Sequence, residues 1–253
     1  FIIKENDRKN FSLIKFYERR ARRILPLLLI VLLITTSISY FLFTPTYLDF
    51  YYKSVLAALF FYSNFFFWNK SGYFETGSDI NPIFHTWSLS IEEQYYLIFP
   101  LVFLFFIKIF GKKIITLLSA TILIGACLSH YLSMFHPSAN FYLLPFRIFQ
   151  ISIGVLTAIL LNYYKFSKFN IFTKNIFSLF GLFLIIISIF LFNEDTLSPS
   201  LFSLIPLVGC SLVILFTNER TYIFKILTNK ILVFVGLLSY GLYLWHIPIL
   251  TFY

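Results

Sequence analysis

The sequence has 253 residues, of which 59% are hydrophobic, 22% aromatic and only 12% charged. Its mean hydropathy of +0.83 excludes an ordinary water-soluble domain, whose surface has to be hydrated. The net charge of +9 does not indicate a nucleic-acid partner, because the basic residues lie in the breaks between apolar runs, as in the loops of a membrane protein. We therefore expect membrane lipids around the chain.

Long apolar runs predict an all-α transmembrane bundle. A helix that crosses a hydrocarbon core of about 30 Å needs about 20 apolar residues. A membrane β-barrel would instead show segments of about ten residues with alternating polarity. Eight continuous apolar runs follow one another along the chain, at residues 24–43, 51–68, 85–110, 114–134, 141–163, 176–192, 201–216 and 231–253.

The basic loops predict how the bundle is oriented. If every run crossed the membrane, the loops that contain Lys112, Lys165 and Arg220 would lie outside, against the positive-inside rule. If the run 51–68 is re-entrant or interfacial, these loops lie inside, and residues 69–82 and Glu194 lie outside. We thus expect seven crossings plus one re-entrant or interfacial segment, with a cytoplasmic basic N-terminal segment.

The chain ends and the cysteines lead to three further expectations. The first residue is Phe1 and not Met, and the last apolar run is still in progress at Tyr253. We therefore expect a single domain, residues 1–253, that is truncated at both ends. Cys127 and Cys210 lie within apolar runs and are expected to be small core residues, with no disulfide and no metal.

The first candidate site is a basic segment at the start of the first crossing, with four arginines at positions 19, 20, 22 and 23. Arg20 and Arg23 are three residues apart and project on one side of a helix. Guanidinium groups bind phosphates in a bidentate manner, so a polyphosphate ligand is one interpretation. The other is an orientation signal that contacts anionic lipid head groups and needs no ligand.

The second candidate site opens the run that begins at His85. Trp87, Ser88 and Glu92 share a side of the predicted helix, and His85 lies close to Ser88. Glu92 and Glu93 diverge by about 100° and cannot both point to one place. Ionisable groups in a membrane helix face the bundle interior or a cavity. The alternative to a functional role is that one glutamate pairs with an arginine and holds two helices together.

Two further groups of polar side chains lie within apolar runs. Arg147 needs a partner, for which Glu92 or Glu93 is a candidate. The arginine either forms a structural ion pair or contacts a substrate. In the last run, spacings of four and three residues form a polar stripe, which either packs helices or lines a substrate site. Its members are Ser239, Tyr243 and His246, and Gly236 and Gly241 are candidates for close helix contact.

Together these segments resemble the acyltransferase 3 family of integral membrane acyltransferases, which includes acetylases of O-antigen and other envelope polysaccharides. Arg20 and Arg23 resemble its Arg-x-x-Arg segment, residues 85–96 its His-x-Trp-Ser-Leu-x-x-Glu-Glu-Gln-x-Tyr segment, and residues 239–248 its Ser-Tyr-x-x-Tyr-Leu-x-His-x-Pro helix. Pro145 and Arg147 also fit, whereas Gln150 stands where the family commonly has Glu.

The resemblance implies a fold of about ten transmembrane helices and a transfer of an acyl group, acetyl in the first place, from acyl-CoA to a carbohydrate hydroxyl at the inner (plasma) membrane. Arg20 and Arg23 would bind the phosphates of acetyl-CoA or another acyl-CoA, with no metal. His85, Ser88 and Glu92 would orient the acceptor or the general base, with His85 near the outer face. The catalytic histidine of the family lies on its first helix, which we expect upstream of this chain.

A transporter is the alternative function, in which the buried Glu and Arg bind an anion or a proton and the arginine segment only orients the protein. A scaffold has no need of buried ionisable groups. The sequence alone leaves the first two functions open.

Overall fold

The computed structural model describes residues 11–70, 81–193 and 195–253, and these form helices and no strand. The all-α prediction is thereby confirmed. Most of the loop 69–82, Glu194 and the first ten residues lie outside the described residues, so the predictions made for them stay predictions. The α-helices are α1 Leu13–Leu42, α2 Pro45–Leu59, α3 Ser63–Lys70, α4 Thr86–Phe110, α5 Ile114–Phe135, α6 Pro137–Tyr142, α7 Leu144–Tyr163, α8 Ile171–Leu191, α9 Leu204–Phe216, α10 Tyr222–Leu227 and α11 Lys230–Phe252.

Four of the described helices, α1, α7, α8 and α11, are long and apolar enough to cross a membrane. They have 30, 20, 21 and 23 residues. The helices α4 and α5 have 25 and 22 residues and also reach the required length. The count of seven crossings stays a prediction. The chain divides into two compact units, one of residues 1–103 and 237–253 and one of residues 104–236.

In the first unit, α1 packs through one buried stripe. Leu28, Val31 and Thr35 follow one another at spacings of three and four and are fully buried, as expected for one face of a helix. The Thr35 hydroxyl lies 2.8 Å from the hydroxyl of Tyr51 on α2, and Leu244 of α11 joins the same apolar core. This stripe places the arginine end of α1 beside α4 and α11.

The apolar run 51–68 folds into α2 and α3, which are separated by a break at residues 60–62. Phe61 in this break has a positive φ of 54°, an uncommon conformation for a residue with a side chain. Gln94 of α4 donates to the Phe61 carbonyl at 2.8 Å and to the Asn64 side-chain oxygen at 2.7 Å. With 15 residues, α2 is about 22 Å long, shorter than the hydrocarbon core. Its re-entrant or interfacial placement stays a prediction.

In the second unit, α8 and α9 cross in direct backbone contact. A Cβ atom on Gly181 would lie 2.6 Å from the Gly209 carbonyl oxygen, and one on Gly209 would lie 2.7 Å from the Gly181 oxygen. Small residues allow such close approach between membrane helices. The close contact therefore occurs here and not at Gly236 or Gly241, where the nearest atom is at best in ordinary contact at 3.8 Å.

The two cysteines do not belong to the core. Cys127 and Cys210 are both free thiols, and both lie exposed on their helices. The expectation that they are small core residues is wrong, because the outer surface of an apolar bundle is itself apolar and accepts a thiol as readily as the interior does.

The glycine contact predicts a large difference between two similar substitutions. Gly181→Ala should lower the free energy of unfolding by about 1–3 kcal/mol, because the new methyl group meets backbone that cannot turn aside. Gly154→Ala on α7, where no atom lies within 4 Å, should be neutral or stabilise by up to about 1 kcal/mol. Unfolding of the purified variants in detergent measures both, and equal stability of the two variants would contradict the close contact.

Candidate functional site

Arg20 on α1 is fixed by two contacts with α4. Its Nε donates to the Glu93 Oε1 at 2.9 Å, and its guanidinium carbon lies 3.0 Å from the centre of the Tyr96 ring. The side chains of Arg20 and Glu93 are only 24% and 16% exposed. Glu93 therefore has an arginine partner, as the sequence predicts for one of the two glutamates. The pair joins the basic segment to the second candidate segment.

A cavity of about 420 Å³ opens beside this pair in the same unit. Three arginines line it together with one carboxylate and two phenols, from α1, α4 and α11. Arg23 is exposed, and no described carboxylate lies within 4 Å of it, so its guanidinium is available to a ligand. The residues that line the cavity are Phe16, Arg19, Arg20, Arg23, Ile24, Leu89, Glu92, Tyr96 and Tyr240.

The two predicted segments around His85 and Tyr243 meet at a short chain of hydrogen bonds. The Tyr243 hydroxyl donates to the His85 carbonyl oxygen at 2.6 Å. Because its single proton is used there, it accepts from the Ser88 hydroxyl, which lies 2.8 Å away. Residues about 155 positions apart in the sequence thus form one polar cluster.

Two imidazole rings complete this cluster. The rings of His85 and His246 lie 5.1 Å apart between centroids, and the Tyr243 ring is 5.1 Å from that of His85. The His246 Nδ1 is 2.6 Å from the Tyr243 carbonyl oxygen, which can only accept, so Nδ1 donates a proton to it. His85 is 6% exposed, and neither of its ring nitrogens has a hydrogen-bond partner.

The arginine cavity and the imidazole cluster are separated along the direction of α4. Glu93 and His85, the residue just before α4, are eight residues apart, which corresponds to about 12 Å at 1.5 Å per residue. The hydrocarbon core is about 30 Å thick. The placement of His85 near the outer face stays a prediction. Before α4 begins, the chain forms a buried turn that contains Asn81 and Ile83.

Other predicted residues belong to neither of these two groups. Trp87 is half-buried next to Ser88, whereas Ser239 is exposed on α11 and lines neither the arginine cavity nor the imidazole cluster. Arg147 belongs to the other compact unit, where it donates to the Phe141 carbonyl oxygen and stacks on that ring at 4.7 Å. In the described ranges, no three His, Cys, Asp or Glu side chains gather as metal ligands would.

A model of the acyltransferase domain family Acyl_transf_3 matches residues 1–253. The chain belongs to the acyltransferase 3 family. A protein of Haemophilus influenzae described as uncharacterized is 30% identical over 87% of this chain and 93% of its own length. A putative O-acetyltransferase of Staphylococcus aureus is 27% identical over 99% of the chain. The peptidoglycan O-acetyltransferase OatA of Listeria monocytogenes is 28% identical over 96%.

The chain spans less than half the length of the two O-acetyltransferases, 43% of the Staphylococcus protein and 41% of OatA. No solved structure matches the chain. The family membership and the apolar helices make the chain part of a multi-pass membrane protein. The resemblance of the three sequence segments to this family is confirmed.

Two aromatic residues of this acyltransferase domain belong to the matched segments but were not among the predicted site residues. Tyr96 stacks on Arg20, and Tyr240 lines the arginine cavity and donates to the Ile24 carbonyl oxygen at 3.0 Å. The signal for Tyr96 was its place as the last residue of the matched segment 85–96, four residues after Glu92 and on the same helix side. The signal for Tyr240 was its place after Ser239 in the matched segment 239–248.

The partly buried ion pair predicts unequal effects for two glutamate substitutions on stability. Glu93→Ala should lower the free energy of unfolding by about 1–3 kcal/mol, because it leaves the Arg20 guanidinium without its acceptor. Glu18→Ala breaks the exposed Arg22–Glu18 pair, whose side chains are 79% and 50% exposed, and should cost about 0–1 kcal/mol. Thermal unfolding in detergent compares them, and equal losses would contradict a structural role of the Arg20 pair.

Proposed function

We propose that this acyltransferase domain transfers an acyl group, acetyl in the first place, from acyl-CoA to a hydroxyl of a cell-envelope carbohydrate. The observation that carries the proposal is the cavity of about 420 Å³ lined by Arg19, Arg20 and Arg23 together with Glu92. O-antigen, exopolysaccharide and peptidoglycan all belong to this acceptor class. The printed name of the Listeria relative specifies peptidoglycan for that protein.

The donor is assigned to the arginine cavity. Coenzyme A carries a pyrophosphate and a further phosphate, and guanidinium groups bind such oxygens in pairs. Arg20 is oriented by Glu93 and Tyr96, so it presents its remaining donors without loss of side-chain freedom on binding. Arg23 then adds a second guanidinium from the next turn of α1.

The reacting groups are assigned to the imidazole cluster. The pantetheine arm of acyl-CoA would span the distance of about 12 Å along α4 from the arginine level to His85. There the acceptor oxygen attacks the thioester carbonyl carbon, and a base takes the hydroxyl proton. As the C–O bond forms the C–S bond breaks, and the coenzyme A thiolate leaves and receives the proton from the base. The family resemblance assigns that base to a histidine of the family's first helix. Ser88, Tyr243 and His246 would orient the acceptor beside it.

The membrane orientation belongs to the same proposal. We assign the protein to the inner (plasma) membrane with its basic N-terminal segment in the cytoplasm, where acyl-CoA is available. The positive-inside rule supports this, since the loops after α4, α7 and α9 all carry lysine or arginine. The acceptor would then reach the imidazole cluster from the opposite side.

Transfer of label from acetyl-CoA tests the donor site. Membranes that contain the full-length protein, incubated with labelled acetyl-CoA and envelope glycan, should yield base-labile ester on the glycan. Arg23→Ala should raise KM for acetyl-CoA about tenfold or more, since one charge-assisted contact to phosphate is worth about 1.5–3 kcal/mol.

Arg22→Ala is the matched control, because Arg22 is exposed, pairs with Glu18 and does not line the cavity. It should leave KM for acetyl-CoA unchanged. If Arg23→Ala transfers label as well as Arg22→Ala, the arginine assignment is wrong. If no ester forms on any envelope glycan while the membranes take up an anion, the transporter alternative is correct.

The hydroxyl of Tyr243 provides a second test of the acceptor site. Tyr243→Phe removes the group that joins Ser88 to the His85 carbonyl, so kcat should fall about tenfold or more while KM for acetyl-CoA stays unchanged. Tyr131→Phe, at an exposed position of α5, should change neither constant. A Tyr243→Phe variant with normal kcat would show that the cluster only packs helices.

A further inference from the structure

A second polar cavity, of about 420 Å³, lies wholly within the unit of residues 104–236. It opens where α7 ends, α8 begins and α9 ends. Its walls are apolar toward the middle of the helices and polar toward the loops. The apolar side is formed by Leu161, Ile214 and Leu215, and the polar side by Asn162, Lys165, Ser167, Lys174, Thr217 and Asn218.

Lys174 is the most unusual residue in this cavity. It lies on the first turn of α8 and is only 6% exposed. Its Nζ donates to the Ser167 carbonyl oxygen at 3.1 Å, and no carboxylate of the described residues lies within 4 Å of it. A buried ammonium with only a neutral partner is costly, and buried charges are normally compensated by an opposite charge.

The cavity is positive even when the helix ends are counted. The C-termini of α7 and α9 each contribute roughly half a negative charge, and the N-terminus of α8 contributes roughly half a positive charge. With Lys165 and Lys174, the balance remains at roughly +1.5. Glu219, the nearest carboxylate in the sequence, is exposed and does not line the cavity.

Neutral hydrogen-bond donors accompany this charge. The Thr217 hydroxyl is buried and has no hydrogen-bond partner. The side-chain oxygen of Asn218 accepts from the backbone N–H of Arg220 at 3.1 Å, which leaves the amide NH₂ of Asn218 available to an acceptor. A group that brings several oxygen acceptors and a negative charge would satisfy both residues and Lys174. A phosphate has this chemistry.

The apolar side of the cavity indicates which kind of phosphate-containing molecule would bind there. Leu161 and Ile214 are 43% and 57% exposed and lie about one helical turn before Lys165 and Thr217. They continue the cavity along the outer, apolar surface of α7 and α9, where an acyl chain would lie. We propose that this cavity binds the head-group phosphate of an anionic phospholipid. Basic pockets between membrane helices on the cytoplasmic side suit such head groups.

Native mass spectrometry of the full-length protein in detergent tests the proposal. Phosphatidylglycerol should be retained in preference to phosphatidylcholine. Lys165→Gln should weaken this retention about fivefold, which corresponds to the loss of one lysine near a lipid phosphate. Lys168→Gln is the matched control, because Lys168 is exposed on the same loop and does not line the cavity. It should retain phosphatidylglycerol like the unchanged protein.

Three comparisons decide whether the cavity binds an anionic phospholipid. Lys174→Gln should weaken retention more than Lys165→Gln, and if it fails to fold, the comparison of Lys165→Gln with Lys168→Gln decides alone. Equal retention by Lys165→Gln and Lys168→Gln overturns the site. The third comparison measures whether inorganic phosphate at millimolar concentration binds to the protein. If it binds in a Lys165-dependent manner while phosphatidylglycerol shows no preference over phosphatidylcholine, the lipid assignment is wrong and the ligand is a soluble phosphate.

Discussion

Polar groups inside an apolar protein have to find partners within the protein, and the N-terminal half of α4 supplies such partners to the helices around it in its compact unit. Gln94 satisfies the backbone where α2 ends and α3 begins, and Glu93 compensates Arg20. Ser88 extends the same system to α11 through the Tyr243 hydroxyl. In a hydrocarbon environment each of these groups would cost several kcal/mol if left alone. Helices α1, α3 and α11 therefore take their positions around one polar segment.

This arrangement gives the candidate site two parts with different character. Around Arg20 the charges are already paired and stacked, which would preorganise the cavity for the anionic donor proposed above. Around His85 the ring nitrogens are buried and unsatisfied, a state that natural proteins keep mostly where a ligand or a reacting group completes the hydrogen bonds. The polar groups around Arg20 have partners and those of His85 do not. This contrast fits a protein that holds one substrate at the arginines and brings a second substrate to react at the imidazole cluster.

The apolar runs predicted the helices well, because run length reflects directly what a membrane requires. The motifs around His85 and Tyr243 also pointed to residues that meet in the structure. Three things could not be predicted. The partner of Arg20 depends on the register between α1 and α4, which side-chain packing decides. The break at Phe61 has no Gly or Pro to mark it. The hydrogen bond from Tyr243 to the His85 carbonyl depends on how α11 packs beside the start of α4, which hydropathy does not report.

The contact between Gly181 and Gly209 has a consequence for how this protein can change. At each position the first atom that a side chain would meet is the main-chain oxygen of the other helix. A clash between two side chains can be relieved by a smaller residue opposite, but a carbonyl oxygen cannot be made smaller. No suppressor substitution at the facing position can therefore rescue a side chain at either glycine. Variants of α8 and α9 can recover only if the two backbones move apart where they cross.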